Sequence, residues 1–220
     1  GRDCKVMSIG PAGENLLPMA CINSDYYRQA GRGGIGAVMG SKKLKAVVVK
    51  GSKGVKVADM EKVLTRVHEI LRQDTVTEAN LWAYTDGTAS LVETCEAGGV
   101  LPSNNFQDAT VNKSKGFNSE RMIEVRKGKR GCGSCALGCG NFTKIDDAVV
   151  EGPEYETLAL AGPNCGVHDL KAIVKFNQLC DDLGMDTMSA AGIISWAMEM
   201  TEKGLKDFGI RFGDVEGYLE

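Results

Sequence analysis

Three of the chain's eight cysteines lie in the stretch Cys132-Gly133-Ser134-Cys135-Ala136-Leu137-Gly138-Cys139, which has the spacing C-x2-C-x3-C. Disulfide frameworks are typical of small exported domains, and they rarely place three cysteines so close together. The intervening glycine and serine residues allow the backbone to curl, so that three thiolates can face one metal centre. Amide groups in such a turn can also donate hydrogen bonds to cluster sulfurs. The stretch therefore predicts a metal site held by Cys132, Cys135 and Cys139.

Two kinds of metal site fit these cysteines. A [4Fe–4S] cluster takes four cysteine ligands, so the stretch would supply three of them and the fourth would come from elsewhere. A structural zinc site usually combines two short Cys/His motifs, and no second pair of this kind is visible in the sequence. The residues favour the iron–sulfur cluster over zinc, and both metals over a stretch that binds none.

The bulk composition is that of an ordinary globular protein, with 43% hydrophobic and 25% charged residues among 220. The net charge of -3 gives no indication of a nucleic-acid partner. No apolar run approaches the roughly 20 residues that span a bilayer, and no secretory signal is visible. We therefore expect a cytoplasmic protein without a membrane span. Because the chain begins without a methionine, we also expect a fragment of a larger multidomain chain.

The expected fold class is α+β, with a β-rich segment at residues 1–52 followed by a mainly helical domain at residues 53–220. Strands are predicted at residues 6–9 and at Ala46–Val49, on either side of a loop rich in small residues. The composition changes at residues 51–54, which predicts the boundary between the two parts.

Hydrophobic periodicity predicts three helices in the second part. Apolar residues at 57–71 recur with the spacing of an amphipathic helix, and Asp59 lies near its start, where an acidic residue suits the helix dipole. The other two helices are predicted at Leu170–Leu183 and at residues 188–203, with Gly184 and Gly204 as C-terminal stops. Residues 86–118 are expected to form loops around one short helix.

Five segments together resemble the aldehyde:ferredoxin oxidoreductase family, across nearly all of the chain. Members of this family hold a tungsten (sometimes molybdenum) bis-pterin beside a [4Fe–4S] cluster. The two most specific segments are the cysteine stretch and Gly31-Arg32-Gly33-Gly34-Ile35-Gly36-Ala37-Val38-Met39-Gly40-Ser41-Lys42. The other three are Ile9-Gly10-Pro11-Ala12-Gly13-Glu14-Asn15, Glu151-Gly152-Pro153-Glu154-Tyr155-Glu156-Thr157 and Asp181-Asp182-Leu183-Gly184-Met185-Asp186-Thr187.

The resemblance implies that residues 31–40 lie against the pterins. A physical reason can be read from the residues. Gly33, Gly34 and Gly36 let main-chain amides approach phosphate and pterin edges, and Arg32 offers several donors to an anionic phosphate. Glycine-rich loops also form turns and strand ends, so this segment indicates a cofactor only together with the others.

Residues 181–186 resemble the pterin motif D-x-x-G-L-D of the family. The resemblance implies that Asp181 and Asp186 accept hydrogen bonds from the amino and ring N–H groups of a pterin. Met185 stands where the family usually has leucine, an exchange of similar apolar volume. The alternative is a helix that ends at Gly184 with acidic residues on its surface. In the family, a second copy of the motif and the fourth cluster cysteine lie further toward the C-terminus.

The resemblance also implies a reaction, the oxidation of a small-molecule aldehyde to a carboxylic acid. Two electrons would leave through the cluster to ferredoxin or another iron–sulfur carrier, in a homo-oligomer or a complex with iron–sulfur subunits. A carboxylate near the metal would move the proton. Glu156 is the predicted catalytic acid, and Glu154 is the alternative.

Two further cysteines and the basic residues before the cysteine stretch are given structural rather than functional roles. Cys165 and Cys180 are predicted to be buried structural thiols. Lys127, Lys129 and Arg130 are interpreted as a solvated loop rather than as a docking patch for an acidic electron carrier.

Three other functions stay open. The tungsten subunits of benzoyl-CoA reductases resemble the same family and would run a reduction. A non-catalytic iron–sulfur module would need neither residues 31–40 nor residues 181–186. A zinc-stabilised interaction domain would explain only the cysteines.

Overall fold

The computed structural model describes residues 4–25, 28–75, 77–111 and 113–220, and over these residues it confirms the α+β class. Residues 1–3, 26 and 27, in the predicted β-rich segment, residue 76, in the predicted helical domain, and residue 112, in the predicted loop region, lie outside the described residues. The described chain forms two small antiparallel sheets and ten α-helices.

The first sheet occupies the N-terminal part of the chain. Its four strands are β1 (Lys5–Ser8), β2 (Ile22–Ser24), β3 (Arg28–Ala30) and β4 (Ala46–Val49), arranged in the order β3-β2-β1-β4. Both strands predicted here are confirmed, and they pair with each other, with Met7 opposite Val47. The connections carry helices α1 (Pro11–Glu14) and α2 (Ile35–Ser41).

Glycines bring α1 and α2 into backbone contact. A Cβ atom placed on Gly40 would overlap the carbonyl oxygen of Gly13, and one placed on Gly36 would overlap the carbonyl oxygen of Cys21. The side chains of ordinary residues would therefore separate these segments. Part of the glycine-rich stretch thus serves to pack the N-terminal part together.

The second part of the chain contains eight of the described helices. They are α3 (Met60–Ile70), α4 (Leu81–Thr85), α5 (Leu91–Ala97), α6 (Ser119–Val125), α7 (Tyr155–Ala161), α8 (Leu170–Leu183), α9 (Thr187–Glu202) and α10 (Val215–Leu219). A π turn at Leu71–Thr75 extends α3. Single 3-10 turns lie at Glu78–Asn80, Thr88–Ser90, Ser114–Gly116 and Pro163–Cys165.

The three helices predicted from periodicity are confirmed. Asp59 caps α3 by accepting a hydrogen bond from the Lys62 amide at 3.0 Å. Helix α8 has the predicted bounds, and Gly184 ends it in the left-handed conformation, at φ 72°. Helix α9 begins one residue earlier than predicted because Asp186 caps it, accepting from the Ser189 amide at 2.9 Å.

A three-stranded sheet at residues 126–151 was not predicted. It consists of β5 (Arg126–Arg130), β6 (Gly140–Ile145) and β7 (Ala148–Glu151), in that order. Strand β5 has the sequence Arg-Lys-Gly-Lys-Arg, which lacks the apolar alternation of a half-buried strand, as edge strands often do. The sheet matters for the site because the cysteine stretch is the loop between β5 and β6.

The interpretation of Lys127, Lys129 and Arg130 as a solvated loop is wrong, because they lie in strand β5. Lys129 is half-buried, and its Nζ lies 3.2 Å from the side-chain oxygen of Asn141. The guanidinium of Arg130 lies over the ring of Phe142, 5.2 Å from its centroid. Lys127 and Arg130 keep the predicted exposed position.

The hydrophobic core lies in the second part of the chain and is built from residues between positions 89 and 218. Its largest fully buried side chains include Phe117, Leu158 and Met198, each of which contributes about 1.5–3 kcal/mol by leaving water. Cys165 and Cys180 are buried in this core, as predicted. By contrast, none of the residues of α3 is buried, and its apolar face stays exposed in the described part of the chain. Within that part, no helix is long and apolar enough to cross a membrane.

The pterin-like motif joins the two parts of the chain. The Cys21 amide donates to the carbonyl of Gly184 at 2.9 Å, and the Asp186 amide donates to the carbonyl of Met19 at 3.0 Å. These bonds flank an antiparallel bridge between residues 20 and 185. The end of α8 and the start of α9 are therefore fixed against the N-terminal sheet.

Candidate active site

A cleft of about 230 Å³ lies where the two parts meet. It brings together three of the predicted site residues, Glu156, Asp181 and Asp186. Strand β3, the end of β7, the start of α7 and the α8–α9 junction supply its walls. Sequence reasoning did not identify the other polar residues used below, which are Arg28, Gln29, Glu151 and Asn177.

Asp181 lies at the inner wall of the cleft, in the last turn of α8. Gln29 donates a hydrogen bond to its Oδ1, and the Asn177 amide nitrogen lies 3.2 Å from its Oδ2. Burial, and secondarily the charge of Asp182, raises the pKa of Asp181 to about 7. Near neutral pH this carboxyl group can therefore either donate or accept a hydrogen bond.

Asp186 links the motif to the glycine-rich segment. Its side chain is buried, and its Oδ2 lies 3.7 Å from the Nε of Arg32. A Cβ atom on Gly31 would lie 3.3 Å from its Oδ1, so a glycine at this position keeps the carboxylate accessible from the cleft. The two predicted cofactor segments, residues 31–40 and 181–186, thus meet at one point.

The three glycines predicted to bind the cofactor differ in their surroundings. Gly33, at φ 96°, has open space where a side chain would be, so its backbone is accessible. Gly34 adopts φ 68° and lies against the carbonyl of Pro18, where a Cβ would come within 2.5 Å. The amide of Gly36 is occupied, because it donates to the carbonyl of Ala20 at 3.0 Å. Gly36 therefore has a packing role in this structure.

Met185 also has a packing role. Its backbone forms the bridge to Ala20, and its half-buried side chain packs against the hydrophobic core. The residue positions its neighbour Asp186.

The two candidate acids at the start of α7 have different environments. Glu156 is exposed and lines the cleft. Glu154 accepts a hydrogen bond from the Thr88 hydroxyl, which in turn accepts from the Tyr155 amide at 3.0 Å. Glu154 thus helps to hold the start of α7, and Glu156 is the acid that this arrangement leaves accessible for proton transfer.

The three cysteines of the predicted cluster lie on the β5–β6 loop. Cys132 and Cys135 are exposed, and Cys139 is half-buried. The amides of Gly138 and Leu137 donate to the Cys135 sulfur and lower the pKa of this thiol. Burial, followed by the charge of Glu154, raises the pKa of Cys139. The loop thus has the inward-facing amides that a turn around a cluster requires.

The loop is compatible with a cluster. In the described part of the chain, no three Cys, His, Asp or Glu side chains come close enough to hold one ion. A structural zinc ion needs four ligands converging on one atom, whereas the cysteines of a [4Fe–4S] cluster each bind a different iron. Three neighbouring thiols that do not converge on one point are compatible with the second arrangement.

The cleft also fits a polar, anionic cofactor. The Nε atom of Arg28 and the Oε1 atom of Glu154 are buried without a hydrogen-bond partner among the described residues. Each such atom costs about 1–3 kcal/mol unless a ligand satisfies it. Phosphate oxygens and pterin N–H groups have the chemistry to satisfy both kinds of atom.

Two of the four residues that were not identified from the sequence could have been assigned to the cleft from their positions in the sequence. Asn177 precedes Asp181 by one helical turn and therefore shares its face of α8. Glu151 begins the segment that contains Glu156, so it could have been included with the candidate acids. Arg28 and Gln29 carried no such signal, because their partners lie far along the chain.

Comparisons with known proteins agree with these features. Residues 1–51 match the family model described as "Aldehyde ferredoxin oxidoreductase, N-terminal domain", and residues 62–220 match "Aldehyde ferredoxin oxidoreductase, domains 2 & 3". The tungsten-containing aldehyde ferredoxin oxidoreductase of Pyrococcus furiosus is 44% identical over 211 residues, covering 92% of this chain and 34% of the relative. That of Thermococcus kodakarensis is 44% identical over 206 residues, covering 90% and 33%.

A solved structure shares the fold. It is the active site complex BamBC of benzoyl coenzyme A reductase with 1,5-dienoyl-CoA, with a TM-score of 0.74 at 24% identity. The match covers 98% of this chain and 35% of that chain. The chain thus spans about a third of the length of the proteins that it matches. On the strength of the two family matches and the 44% identity, the chain belongs to the aldehyde ferredoxin oxidoreductase family.

Proposed function

We propose that the protein containing this chain oxidises aldehydes to carboxylic acids at a tungsten (or molybdenum) bis-pterin centre. Electrons leave through a [4Fe–4S] cluster to ferredoxin or a similar iron–sulfur carrier in the cytoplasm. The observation that carries the proposal is the cleft in which Glu156, Asp181 and Asp186 meet the glycine-rich segment. The names of the relatives, which are 44% identical, support the tungsten chemistry.

The residues of the cleft divide into acceptors and donors for a pterin. Asp181 and Asp186 accept hydrogen bonds from its amino and ring N–H groups. Arg32 and the open backbone at Gly33 face its phosphate, because a guanidinium and an accessible amide are the usual donors to such a group. When bound, the metal centre supplies the acceptor for two electrons.

Glu156 moves the proton in this proposal. Its carboxylate lines the cleft and, unlike that of Glu154, is not tied to Thr88. A carboxylate in this position can take the proton that an attacking water releases and can return it to solvent, because the side chain is exposed. Asp181, with its pKa near 7, is a second group that can hold a proton within the cleft.

Cys132, Cys135 and Cys139 hold the cluster, and the amides of residues 137 and 138 donate to its sulfurs. Amide donors of this kind stabilise negative charge on the cluster and so make its reduction more favourable. The fourth cysteine belongs to the part of the protein that the chain does not span.

The test is a metal and activity analysis of the natural, anaerobically purified protein that contains this chain. We expect about one W or Mo, with at least four Fe and four sulfides per chain, which is the content of one cluster. Oxidation of aldehydes with reduction of ferredoxin would support the proposal. Activity only with an aromatic CoA thioester would instead assign a ring reductase, whose known structure shares this fold. Iron and sulfide without W or Mo would assign an electron-transfer module, and zinc alone would contradict all three.

A further inference from the structure

We infer that Arg28 is a positioning residue that connects the cleft with the cysteine loop. Its guanidinium, anchored by Glu151, places a fixed positive charge beside the loop and raises the reduction potential of the cluster held there. This inference rests on the proposed function, because it requires the cluster.

The position of Arg28 follows from the meeting of the two sheets. Arg28 begins strand β3 of the first sheet, and Glu151 ends strand β7 of the second. The Nη2 of Arg28 and the Oε1 of Glu151 form an ion pair, in which the Glu151 side chain is 6% exposed and the Arg28 side chain 37%. The pair therefore spans the boundary between the two parts of the chain at the edge of the cleft.

Gly140 brings this ion pair close to the cluster ligands. It follows Cys139 directly and begins strand β6. A Cβ atom on Gly140 would lie 2.8 Å from the Nη2 of Arg28 and 2.9 Å from the Oε1 of Glu151. Any side chain at this position would displace the guanidinium. The glycine thus allows the charge to lie one residue from the third predicted ligand.

The guanidinium has one donor to spare at this place. Its Nη2 is paired with the Glu151 carboxylate, whereas its buried Nε has no hydrogen-bond partner among the described residues. This Nε–H is a charged donor beside the cluster loop, and a hydrogen bond from such a donor to an anionic acceptor is about twice as strong as a neutral one.

A cluster with thiolate ligands gains one more negative charge when it is reduced. A nearby positive charge stabilises the reduced form more than the oxidised form, and so it raises the reduction potential. Buried charges act more strongly than exposed ones because salt and water screen them less. Arg28 therefore has a larger effect than an exposed basic residue on the same sheet.

The test is an EPR-monitored redox titration of the cluster in the purified full-length protein. The substitution Arg28→Gln should shift the midpoint potential to more negative values, and Arg28→Lys, which keeps the charge, should shift it less. The matched control is Lys127→Gln, which removes an equal charge from an exposed position on β5. We expect the control to shift the potential less than Arg28→Gln does.

The outcomes separate this inference from the proposed function. A wild-type protein without iron and sulfide would contradict the proposed function itself. A cluster whose potential is the same in the wild type and in Arg28→Gln would overturn the inference alone. Should Arg28→Gln fail to assemble a cluster, Glu151→Gln decides the question. Loss of this buried negative charge should shift the potential to more positive values, and an unchanged potential would overturn the inference.

Discussion

The backbones of Gly10 and Gly184 lie in direct contact, although one precedes α1 and the other ends α8. A Cβ atom on Gly184 would lie 2.6 Å from the amide nitrogen of Gly10, and one on Gly10 would overlap the carbonyl oxygen of Leu183. The pterin-like motif is therefore held against the N-terminal part by a contact that tolerates no side chain on either residue.

Replacing Gly10 by alanine should loosen this contact. The φ angle of Gly10, -86°, suits alanine, so the effect comes from overlap alone and should cost about 1–3 kcal/mol of stability. We expect a lower thermal midpoint and a reduced W or Mo content, with iron retained. The control is Gly192→Ala in α9, where a Cβ meets nothing within 4 Å. It should be neutral or stabilising, by up to about 1 kcal/mol. Equal losses in both variants would contradict the role of the contact.

The substitution Glu156→Gln should abolish turnover while W or Mo, iron and sulfide stay bound. The amide keeps the size of the side chain but cannot accept the proton, so the loss should fall on kcat. Glu154→Gln is the matched control, because its amide oxygen can still accept the hydrogen bond from Thr88. We expect this variant to lose much less kcat than Glu156→Gln does. The reverse pattern in steady-state kinetics would assign the catalytic role to Glu154.

The stability of the protein should decrease as the pH rises toward neutrality, in part because of Asp181. Burial raises the pKa of this group from 3.8 to about 7, so the folded state holds a proton that the unfolded state has released. Between these two values, stability falls with rising pH. Thermal midpoints of the apo-protein from about pH 5 to about pH 8 should show a steeper decline in the wild type than in Asp181→Asn.

Asp182→Asn supplies a second check on the same group. The charge of Asp182 contributes to the raised pKa of Asp181, so its removal should move the decline to lower pH without abolishing it. Identical pH profiles for the wild type and Asp181→Asn would show that this carboxyl group is ionised throughout.

Cys135→Ala should remove the cluster. The thiol lies in the exposed loop, and its sulfur accepts two amide hydrogen bonds. We expect loss of iron, acid-labile sulfide and the EPR signal of the cluster. In the matched variant Cys180→Ala, a core thiol that is 1% exposed is removed instead. That variant should keep its iron and lose only about 0.5–3 kcal/mol of stability. Iron loss in both variants would point to general unfolding.

Local signals explain what the sequence predicted correctly. The bounds of α8 could be predicted because Asp169 caps its start and Gly184 ends it with a positive φ. Asp181 and Asp186 could be assigned to one site because their spacing belongs to a motif. In each case the information lies within a few residues of the element concerned.

The missed features depend on distant partners. Strand β5 has a polar sequence, and only its pairing with β6 makes it a strand. Arg28 gains its importance from Glu151 and Gly140, which belong to another sheet. The exposed apolar face of α3 is the opposite case, since its periodicity predicted the helix but gave no information about what covers it.

The hydrogen bond from the Asn23 side chain to the carbonyl of Asp181 joins residues 158 positions apart. Contacts over such separations form late in folding, because the entropy of closing a long loop is lost before the contact stabilises the chain. The cysteine loop, between adjacent strands, requires only local pairing. A newly made chain should therefore present three cluster cysteines before it has a complete cleft, whereas the cluster itself still needs the fourth cysteine from further along the protein.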